Sequence, residues 1–468
     1  RIMDSMDLEK ERGITITAKN TAIFYNDIKI NIIDTPGHAD FGGEVERSLN
    51  LVDGALLLVD SSEGPLPQTR FVLKKALEKK LPIILLINKI DRSDARVDHV
   101  INQVYELFID LDATDEQIEF KIIYTNAKEG IAHYTLDENS NNLVPLFETI
   151  IADIEGPLSD DEYEPQFLVT NLDYDAYVGQ VAIGRLSNGT LEMNQSYSLC
   201  GKDEITYGHK FSALYTFNGL TKKKVEKVVA GDIIALAGVD DVNIGDTISS
   251  NDNPKPLPRI KIDEPTVSML FCVNTSPFAG KDGTYITTRH IYERLQKEIM
   301  SNVSLKVVNT EKNDIFEVRG RGELQMAILI ETMRREGYEF MVSKPRVITF
   351  EEKGVLMEPM EKVFIDIPED KVGIISEKLS NRKGRMLNLQ NHGHGRVELE
   401  FSIPSRGLIG FRSQFMTDTQ GAGIMNKIFE GYKTWFGEIP QRNSGALVSD
   451  RNGKVTTYAS LAMVDRGE

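Results

Sequence analysis

Two things are scarce in this 468-residue sequence, and each narrows the class of protein. There are only two cysteines, Cys200 and Cys272, which lie far apart and form neither a metal-binding spacing nor a disulfide framework. No apolar run is long enough to cross a membrane, because the longest runs, at residues 55–59 and 82–87, have the length of strands. We therefore expect a protein of the reducing cytoplasm without a membrane anchor.

Positive charge is also in deficit. The 54 basic residues face 71 acidic ones, which gives a net charge of −17. This balance argues against a surface coated for nucleic acid, but RNA contact through a local patch stays possible because only the docking face needs positive potential. Lys222–Lys224 and Arg382–Arg385 are candidate patches, and each is equally well explained as a solvated loop.

The most informative stretch that is present is Asp34–His38 (DTPGH), directly after the apolar run 28–33. A carboxylate at a strand end, followed by a tight turn, is how nucleotide-binding domains place an acid beside Mg²⁺ and a bare N–H beside a phosphate. We predict that Asp34 holds Mg²⁺, that Gly37 donates its N–H to the γ-phosphate and that His38 faces the attacking water. Alone, the pattern fits an ordinary strand-turn-helix equally well.

A second short motif, residues 11–16 (ERGITI), precedes it. A threonine in a mobile loop can give its hydroxyl to Mg²⁺ and its N–H to the γ-phosphate, and such a loop is ordered while the triphosphate is present. We predict this role for Thr15. The competing interpretation is a strand that begins after a glycine turn.

The run 82–87 leads into Asn88-Lys89-Ile90-Asp91. Asp91 can accept hydrogen bonds from N1–H and the exocyclic amine of guanine, a donor pair that adenine cannot supply. Asn88 would tie neighbouring loops together, and the stem of Lys89 would lie along the base. Because this motif ends a strand about fifty residues after the Asp-x-x-Gly pattern, the pair favours a GTP site.

A third loop would complete the base pocket. Residues 120–124 are predicted to form a strand, and Asn126-Ala127-Lys128 follow it closely. Their position suits the loop that contacts the guanine carbonyl through backbone N–H groups. Serine is the usual residue before that alanine, whereas this chain has Asn126.

One expected motif is missing. No Gly-x-x-x-x-Gly-Lys-Ser/Thr phosphate loop occurs in the sequence, although that loop normally precedes the others. The chain opens at Arg1, just downstream of where the loop would lie. Because every later motif is intact, we expect a truncated chain that lacks this loop and the first strand of the sheet, rather than a degenerate site.

The pattern of elements predicts a multi-domain α/β and β protein. The apolar runs 28–33, 55–60 and 82–87 alternate with helices, which predicts a parallel sheet. Short strands with Gly and Asn turns predict a β-barrel, and two β-α-β-β-α-β patterns predict ferredoxin-like domains, with residues 421–429 as the last helix. The predicted domains are a P-loop-type GTPase domain (1–157), a small β-barrel (163–252), two ferredoxin-like α+β domains (260–346 and 355–435) and the start of a further C-terminal domain (436–468).

Three stretches carry a resemblance to a known family: residues 34–47, 322–334 and 406–412. With the motifs above, they make the sequence similar to the translational GTPases over essentially the whole chain, and within them to the BipA/TypA family. Elongation factor G inserts a long tRNA-mimicking domain between its ferredoxin-like units, and this chain does not. LepA shares the shortened layout, so the three stretches carry the distinction.

The resemblance implies GTP hydrolysis switched on by the ribosome, with roles in large-subunit assembly and in growth under stress or cold. It implies Mg²⁺ with GTP or GDP as cofactor, and ribosomal RNA and proteins as partners; we expect a monomer. His38 would orient the water and Ile14 would form one side of an apolar gate beside it. The implied nucleotide and metal residues are Thr15, Asp34, Gly37, Asn88, Lys89, Ile90, Asp91, Asn126, Ala127 and Lys128, with Thr15 and Asp34 as the metal ligands.

Two other classes remain open. The chain could be a catalytically incompetent ribosome-binding scaffold in this truncated form, or a LepA-like elongation factor. A general elongation factor that drives translocation is disfavoured because the tRNA-mimicking insertion is missing. A search of the upstream coding sequence for the phosphate loop would separate the GTPase from the scaffold.

Overall fold

The computed structural model describes residues 3, 6–138, 140–175, 177–239, 241–260, 264–277, 279–302, 304–391, 395–439 and 452–459. The chain forms two compact units, Arg1–Ile348 and Thr349–Glu468. The first unit contains an α/β domain, a β-barrel and an α+β domain, and the second contains another α+β domain.

The α/β domain is built on a four-stranded sheet in the order β3-β4-β5-β6, in which β3, β4 and β5 are parallel and β6 is antiparallel. Strand β4 is almost wholly apolar, and α3 and α4 contribute to the core that covers the sheet. The elements of this domain are α1 (Asp7–Arg12), β1 (Lys19–Tyr25), β2 (Ile28–Asp34), α2 (Gly42–Ser48), β3 (Ala55–Asp60), α3 (Pro67–Glu78), β4 (Ile83–Asn88), α4 (Val97–Asp110), α5 (Asp115–Ile118), β5 (Lys121–Asn126), β6 (Ile131–His133) and α6 (Val144–Asp153).

The run 28–33 was expected to join the parallel sheet, but within the described strands β2 pairs only with β1. The reason is local: Asn26 and Asp27 both have positive φ (48° and 61°), the conformation of a two-residue hairpin turn that makes β1 and β2 antiparallel. The hairpin packs on the β-barrel instead. There, Lys29 Nζ lies 2.7 Å from Asp232 Oδ2.

The barrel domain is one antiparallel sheet of eight strands, in the order β11-β10-β16-β7-β8-β15-β12-β13, around a single apolar core. A short β9–β14 pair lies beside it. The strands are β7 (Gln166–Asp175), β8 (Gly179–Asn188), β9 (Thr190–Glu192), β10 (Tyr197–Cys200), β11 (Ile205–His209), β12 (Ala213–Asn218), β13 (Thr221–Val225), β14 (Lys227–Val229), β15 (Ile233–Ala237) and β16 (Thr247–Ser250).

The last domain of the first unit has the predicted β-α-β-β-α-β order and a sheet in the order β18-β19-β17-β20. Residues 319–322 form the strand-to-helix turn into α8, as the simpler of the two sequence interpretations expected. The elements are β17 (Val267–Cys272), α7 (Thr288–Ser301), β18 (Lys306–Asn309), β19 (Ile315–Gly320), α8 (Glu323–Arg335), β20 (Met341–Val342) and β21 (Arg346–Val347).

The second unit repeats this topology, with the strand order β22-β23-β25-β24 and β26 paired to β23. The prediction of a helix at residues 421–429 was wrong, because β26 pairs with β23 over ten residue pairs and the second helix lies earlier, at α11. This unit contains β22 (Phe350–Glu352), β23 (Val355–Pro368), α9 (Val372–Asn381), β24 (Arg385–Asn391), β25 (Arg396–Pro404), α10 (Ser405–Leu408), α11 (Phe411–Asp418) and β26 (Ile424–Thr434).

The predicted start of a further domain at 436–468 lies mostly outside the described residues, which there comprise 436–439 and 452–459. Across the described part of the chain, every helix is too short or too polar to span a lipid bilayer.

Candidate functional site

The predicted guanine-binding loops are tied together by Asn88, the last residue of β4. Its Oδ1 accepts hydrogen bonds from the N–H of Ala127 (3.0 Å) and from the hydroxyl of Thr125 (3.3 Å). The N–H of Ile90 also donates to the carbonyl of Thr125, at 3.5 Å. Because β4 and β5 are parallel neighbours, their carboxyl ends meet at one edge, and Asn88 fixes the distance between the two loops.

The residues of these loops that would face a base are open to solvent. Asp91, Ala127 and Lys128 are exposed, whereas Asn126 is buried and its Oδ1 accepts from the N–H of Glu129 at 3.4 Å. The structure therefore uses Asn126 to close its own loop. Asp91 follows Asn88 by three residues on the same edge, which leaves its carboxylate available to a ligand.

Lys89 is held by a residue that the sequence motifs did not include. Its backbone has a positive φ of 60°, and its Nζ lies 2.6 Å from Asp60 Oδ2 at the end of β3. Asp60 Oδ1 also accepts from the N–H of Ser62 (2.8 Å) and of Glu63 (3.3 Å). Burial opposes ionisation, but the Lys89 ammonium and these N–H groups outweigh it, so the pKa of Asp60 lies well below its ordinary value.

The predicted phosphate-side residues gather at the open end of the β1–β2 hairpin. Asp34 is the last residue of β2 and lies opposite Lys19 in the strand register. Thr15 precedes Lys19 by four residues, so the hairpin brings the loop of Thr15 to the end where Asp34 stands. Asp34 and Thr15 are half-buried, and Gly37 is exposed.

A buried carboxylate organises the loop that carries Thr15. Glu9 of α1 is fully buried and accepts hydrogen bonds from the N–H groups of Met6 (3.1 Å), Ile16 (3.0 Å) and Thr17 (3.3 Å), and from the Lys19 ammonium. Burial alone would raise the pKa of Glu9, but Lys19 and the three N–H groups together lower it. Glu9 therefore stays ionised and holds both sides of the loop.

His38 is oriented by its own turn. The N–H of Asp40 donates to His38 Nδ1 at 3.1 Å, and the ring of Phe41 meets the imidazole edge-on with centroids 6.1 Å apart. While the ring is neutral, this hydrogen bond leaves its proton on Nε2. Ile14, the predicted apolar gate residue, packs against a cluster that includes Phe41.

The two groups of predicted residues are linked through helix packing. Helix α2, which follows His38, packs on α3, and Lys75 Nζ bonds Glu46 Oε1 at 3.0 Å across that contact. Two cavities of about 570 and 630 Å³ in the described part of the chain share Pro82 and Asp153, and neither is lined by a predicted nucleotide residue. The case for a nucleotide site therefore depends on the two sets of loops.

The predicted Mg²⁺ site fits the residues present. Among the described residues there is no group of three or more His, Cys, Asp or Glu side chains that could hold a metal ion. A nucleotide-bound Mg²⁺ does not need such a group, since phosphates and water supply most of its ligands. The hydroxyl of Thr15 and the carboxylate of Asp34 are hard oxygen donors of the required kind.

Two buried acids were missed by sequence reasoning and were detectable to different degrees. Asp60 ends an apolar strand, as Asp34 does, and that position is a usable signal. Glu9 gives no signal, because its partners depend on how the loop folds back over α1.

Comparison with known proteins places the chain in a family. It matches the elongation factor Tu GTP binding domain over residues 1–155, elongation factor Tu domain 2 over residues 179–249 and the elongation factor G C-terminus over residues 355–443. The large ribosomal subunit assembly factor BipA of Bacillus subtilis (strain 168) is 49% identical over 100% of this chain and 76% of its own length. The chain belongs to the BipA family of translational GTPases.

Other BipA proteins match equally fully. The factor of the same name from Salmonella typhimurium is 49% identical over 100% of this chain and 77% of its own length, and that of Synechocystis is 48% identical over 100% and 78%. A crystal structure of a Thermus thermophilus protein, titled ttk003000868, superposes with a TM-score of 0.61, covering 93% of this chain and 91% of its own at 16% identity. That structure supports the fold alone, and with the matched domains it confirms the predicted fold class.

Proposed function

We propose that this chain binds GTP with Mg²⁺ and hydrolyses it to GDP and phosphate on the ribosome, as a cytoplasmic monomer that serves assembly of the large subunit under stress or cold. The observation that carries the proposal is the end-to-end match to relatives named large ribosomal subunit assembly factor BipA. The loops joined by Asn88 and the hairpin that ends at Asp34 support it.

On the phosphate side, the proposed work is positioning and charge stabilisation without a covalent intermediate. Thr15 and Asp34 would hold Mg²⁺, and Gly37 would donate its N–H to the γ-phosphate. His38 would present Nε2–H toward the attacking water and γ-phosphate, since Nδ1 is occupied by the N–H of Asp40. Ile14 would limit access to the water from the apolar side.

On the base side, Asp91 would select guanine. Lys89, anchored by Asp60, would lay its stem along the purine, and Asn88 and Ile90 would hold the pocket together with the strand β5. The loop Asn126–Lys128 would contact the guanine carbonyl through its backbone. Each role uses a group that the described structure fixes at the carboxyl edge of the sheet.

Contact with ribosomal RNA is assigned to the two basic runs. Lys222–Lys224 lie exposed on β13, an edge strand of the barrel sheet. In the other run, Arg382 donates to the carbonyls of Gly407 (2.9 Å) and Ile409 (3.2 Å) and so serves the fold. This leaves Lys383 and Arg385 as the residues of that run that would meet phosphate.

The test is GTP turnover by the complete gene product with and without large ribosomal subunits. His38→Ala should leave GTP binding near normal and abolish the ribosome-stimulated rate, while His99→Ala, an exposed histidine of α4, should behave as wild type. Stimulation that survives His38→Ala would refute the role of His38. The scaffold alternative, which the missing phosphate loop motivates, predicts ribosome binding with no nucleotide binding or turnover. A LepA-like factor would act on elongating ribosomes rather than on free large subunits.

A further inference from the structure

Helix α8 of the first ferredoxin-like domain touches both segments that we assign to the phosphate side. At its N-terminal end, the N–H of Leu324 donates to Asp40 Oδ2 at 2.9 Å. At its C-terminal end, Arg335 forms two hydrogen bonds with Glu11, at 2.7 and 2.9 Å. Between these ends an apolar cluster joins the helix to the loops: Leu8, Ile14, Ile16, Phe41, Leu324 and Ile328.

Asp40 is the residue through which α8 reaches the turn of His38. It is only 3% exposed, and its carboxylate caps a helix whose own N-cap residue, Gly322, has no side chain to do so. A Cβ at Gly322 would lie 2.2 Å from the Asp40 carboxylate. Gly322 has a φ of −171°, which any residue can adopt, so it is the closeness of Asp40 that leaves no room for a side chain.

The neighbouring contact strengthens the same interface. The buried Arg321 guanidinium lies 3.6 Å from the buried Glu46 carboxylate of α2. Gly42 also lies close, since a Cβ there would be 3.2 Å from Arg321 Nη2. The turn before α8 therefore packs directly on the segment that follows His38, and a shift of one moves the other.

Asp40 also fixes the imidazole. Its backbone N–H donates to His38 Nδ1 at 3.1 Å, while its carboxylate is held by α8. One residue thus joins the ring predicted to face the water to a helix 284 residues away in sequence. In the neutral ring Nε2 then carries the proton, and it is the nitrogen that would act toward a ligand.

From this geometry we propose that Asp40 is a positioning residue for GTP hydrolysis, and that the N-terminal end of α8 sets the His38 imidazole through it. This inference rests on the proposed GTPase function. It makes the ferredoxin-like domain part of the hydrolytic apparatus, because displacement of α8 would release the ring that orients the water.

The experiment measures ribosome-stimulated kcat, KM for the ribosome and nucleotide affinity in the complete gene product. Asp40→Ala and Gly322→Ala should each lower kcat by about ten- to a hundredfold, the loss expected from misplacing a reacting group by about 1 Å, with affinities unchanged. Asp40→Asn keeps one acceptor for α8 and should retain part of the rate. Arg335→Gln, at the other end of α8, is the matched control and should keep wild-type kcat.

Two further readouts separate positioning from loss of fold. In nitrogen-15 spectra of labelled histidine, wild-type His38 should show a single tautomer with the proton on Nε2, and Gly322→Ala should show a mixture. The double variant Asp40→Ala/Gly322→Ala should be no slower than Asp40→Ala alone, since the added methyl then has room.

The outcomes are distinguishable. If the wild type hydrolyses no GTP, or His38→Ala costs nothing, the proposed function itself fails. If His38→Ala abolishes turnover while folded Asp40→Ala and Gly322→Ala keep wild-type kcat and a single His38 tautomer, the role of Asp40 is overturned. If Asp40→Ala does not fold, Gly322→Ala and Asp40→Asn decide by the same criteria.

Discussion

Lys89 Nζ lies 2.6 Å from Asp60 Oδ2, so the carboxyl end of one parallel strand holds the residue that follows the end of the next. The Lys89 carbonyl in turn accepts from the Ser61 hydroxyl at 2.8 Å. Lys89 is therefore fixed at both its backbone and its ammonium group, in a backbone conformation with φ of 60° that a lysine seldom adopts. Such fixing suits a residue whose stem must stay flat against a base.

We predict that Asp60→Asn weakens GTP and GDP binding equally. The change removes the ion pair with Lys89 but keeps an acceptor for the Ser62 N–H, and loss of one partner in a partly buried network costs about 1–3 kcal/mol. Titration with a fluorescent guanine nucleotide measures the effect. Glu63→Gln, an exposed neighbour, is the control and should bind as wild type. Unchanged affinity in Asp60→Asn would show that Lys89 does not depend on this anchor.

A second prediction concerns the identity of the base. Asp91→Asn should shift preference from GTP toward xanthosine triphosphate, because the amide can donate to the oxo group that xanthine carries where guanine has its amine. Competition between the two nucleotides measures the shift, with Asp94→Asn as an exposed control a few residues on. If the selectivity ratio does not move, Asp91 does not read the base.

The regular part of the fold was predictable, since strands β3 to β5 are continuous apolar runs and α4 has a clear apolar face. Two elements were misjudged because partners distant in sequence decide them. Residues 421–429 became part of β26 through pairing with β23, and β2 left the parallel sheet through the turn at Asn26 and Asp27. The latter turn could have been recognised from its residue types.

The candidate site shows the same division. Motif spacing located Asp34 and Asn88 because both end strands, and the structure adds the bonds that Asn88 makes to the next loop. Contacts across long sequence separation were not predictable. The pairing of Asp40 with Leu324 spans 284 residues, and no periodicity or local motif encodes such a distance.

A third prediction follows from Glu9. Its pKa is lowered below its usual 4.5 in the folded chain, so its stabilising contribution is fully present above that value and is lost as pH falls through the folded-state pKa. Glu9→Gln should therefore be less stable than wild type near neutral pH, with a gap that narrows on acidification below about pH 4.5. Chemical denaturation at several pH values measures this gap.

The same substitution should open the loop locally. Amide exchange of Ile16 and Thr17, whose N–H groups Glu9 accepts, should quicken in Glu9→Gln. Asp7→Asn changes an exposed acid on the same helix and should leave that exchange as in wild type. A stability gap that stays constant with pH, together with unchanged exchange, would mean that Glu9 does not hold the loop.

The last prediction tests the barrel, on which the β1–β2 hairpin packs. Gly184 lies in β8, where a Cβ would stand 1.9 Å from the carbonyl oxygen of Leu168 in the paired strand β7. That oxygen belongs to the backbone and cannot move without disturbing the ladder, so overpacking of about 1–3 kcal/mol or more is expected for Gly184→Ala. Denaturant unfolding followed by circular dichroism should show a lower midpoint. Gly156→Ala, in the linker with nothing within 4 Å of the new methyl, is the matched control and should unfold as wild type. Equal midpoints for the two variants would show that β7 and β8 can separate at this point without cost.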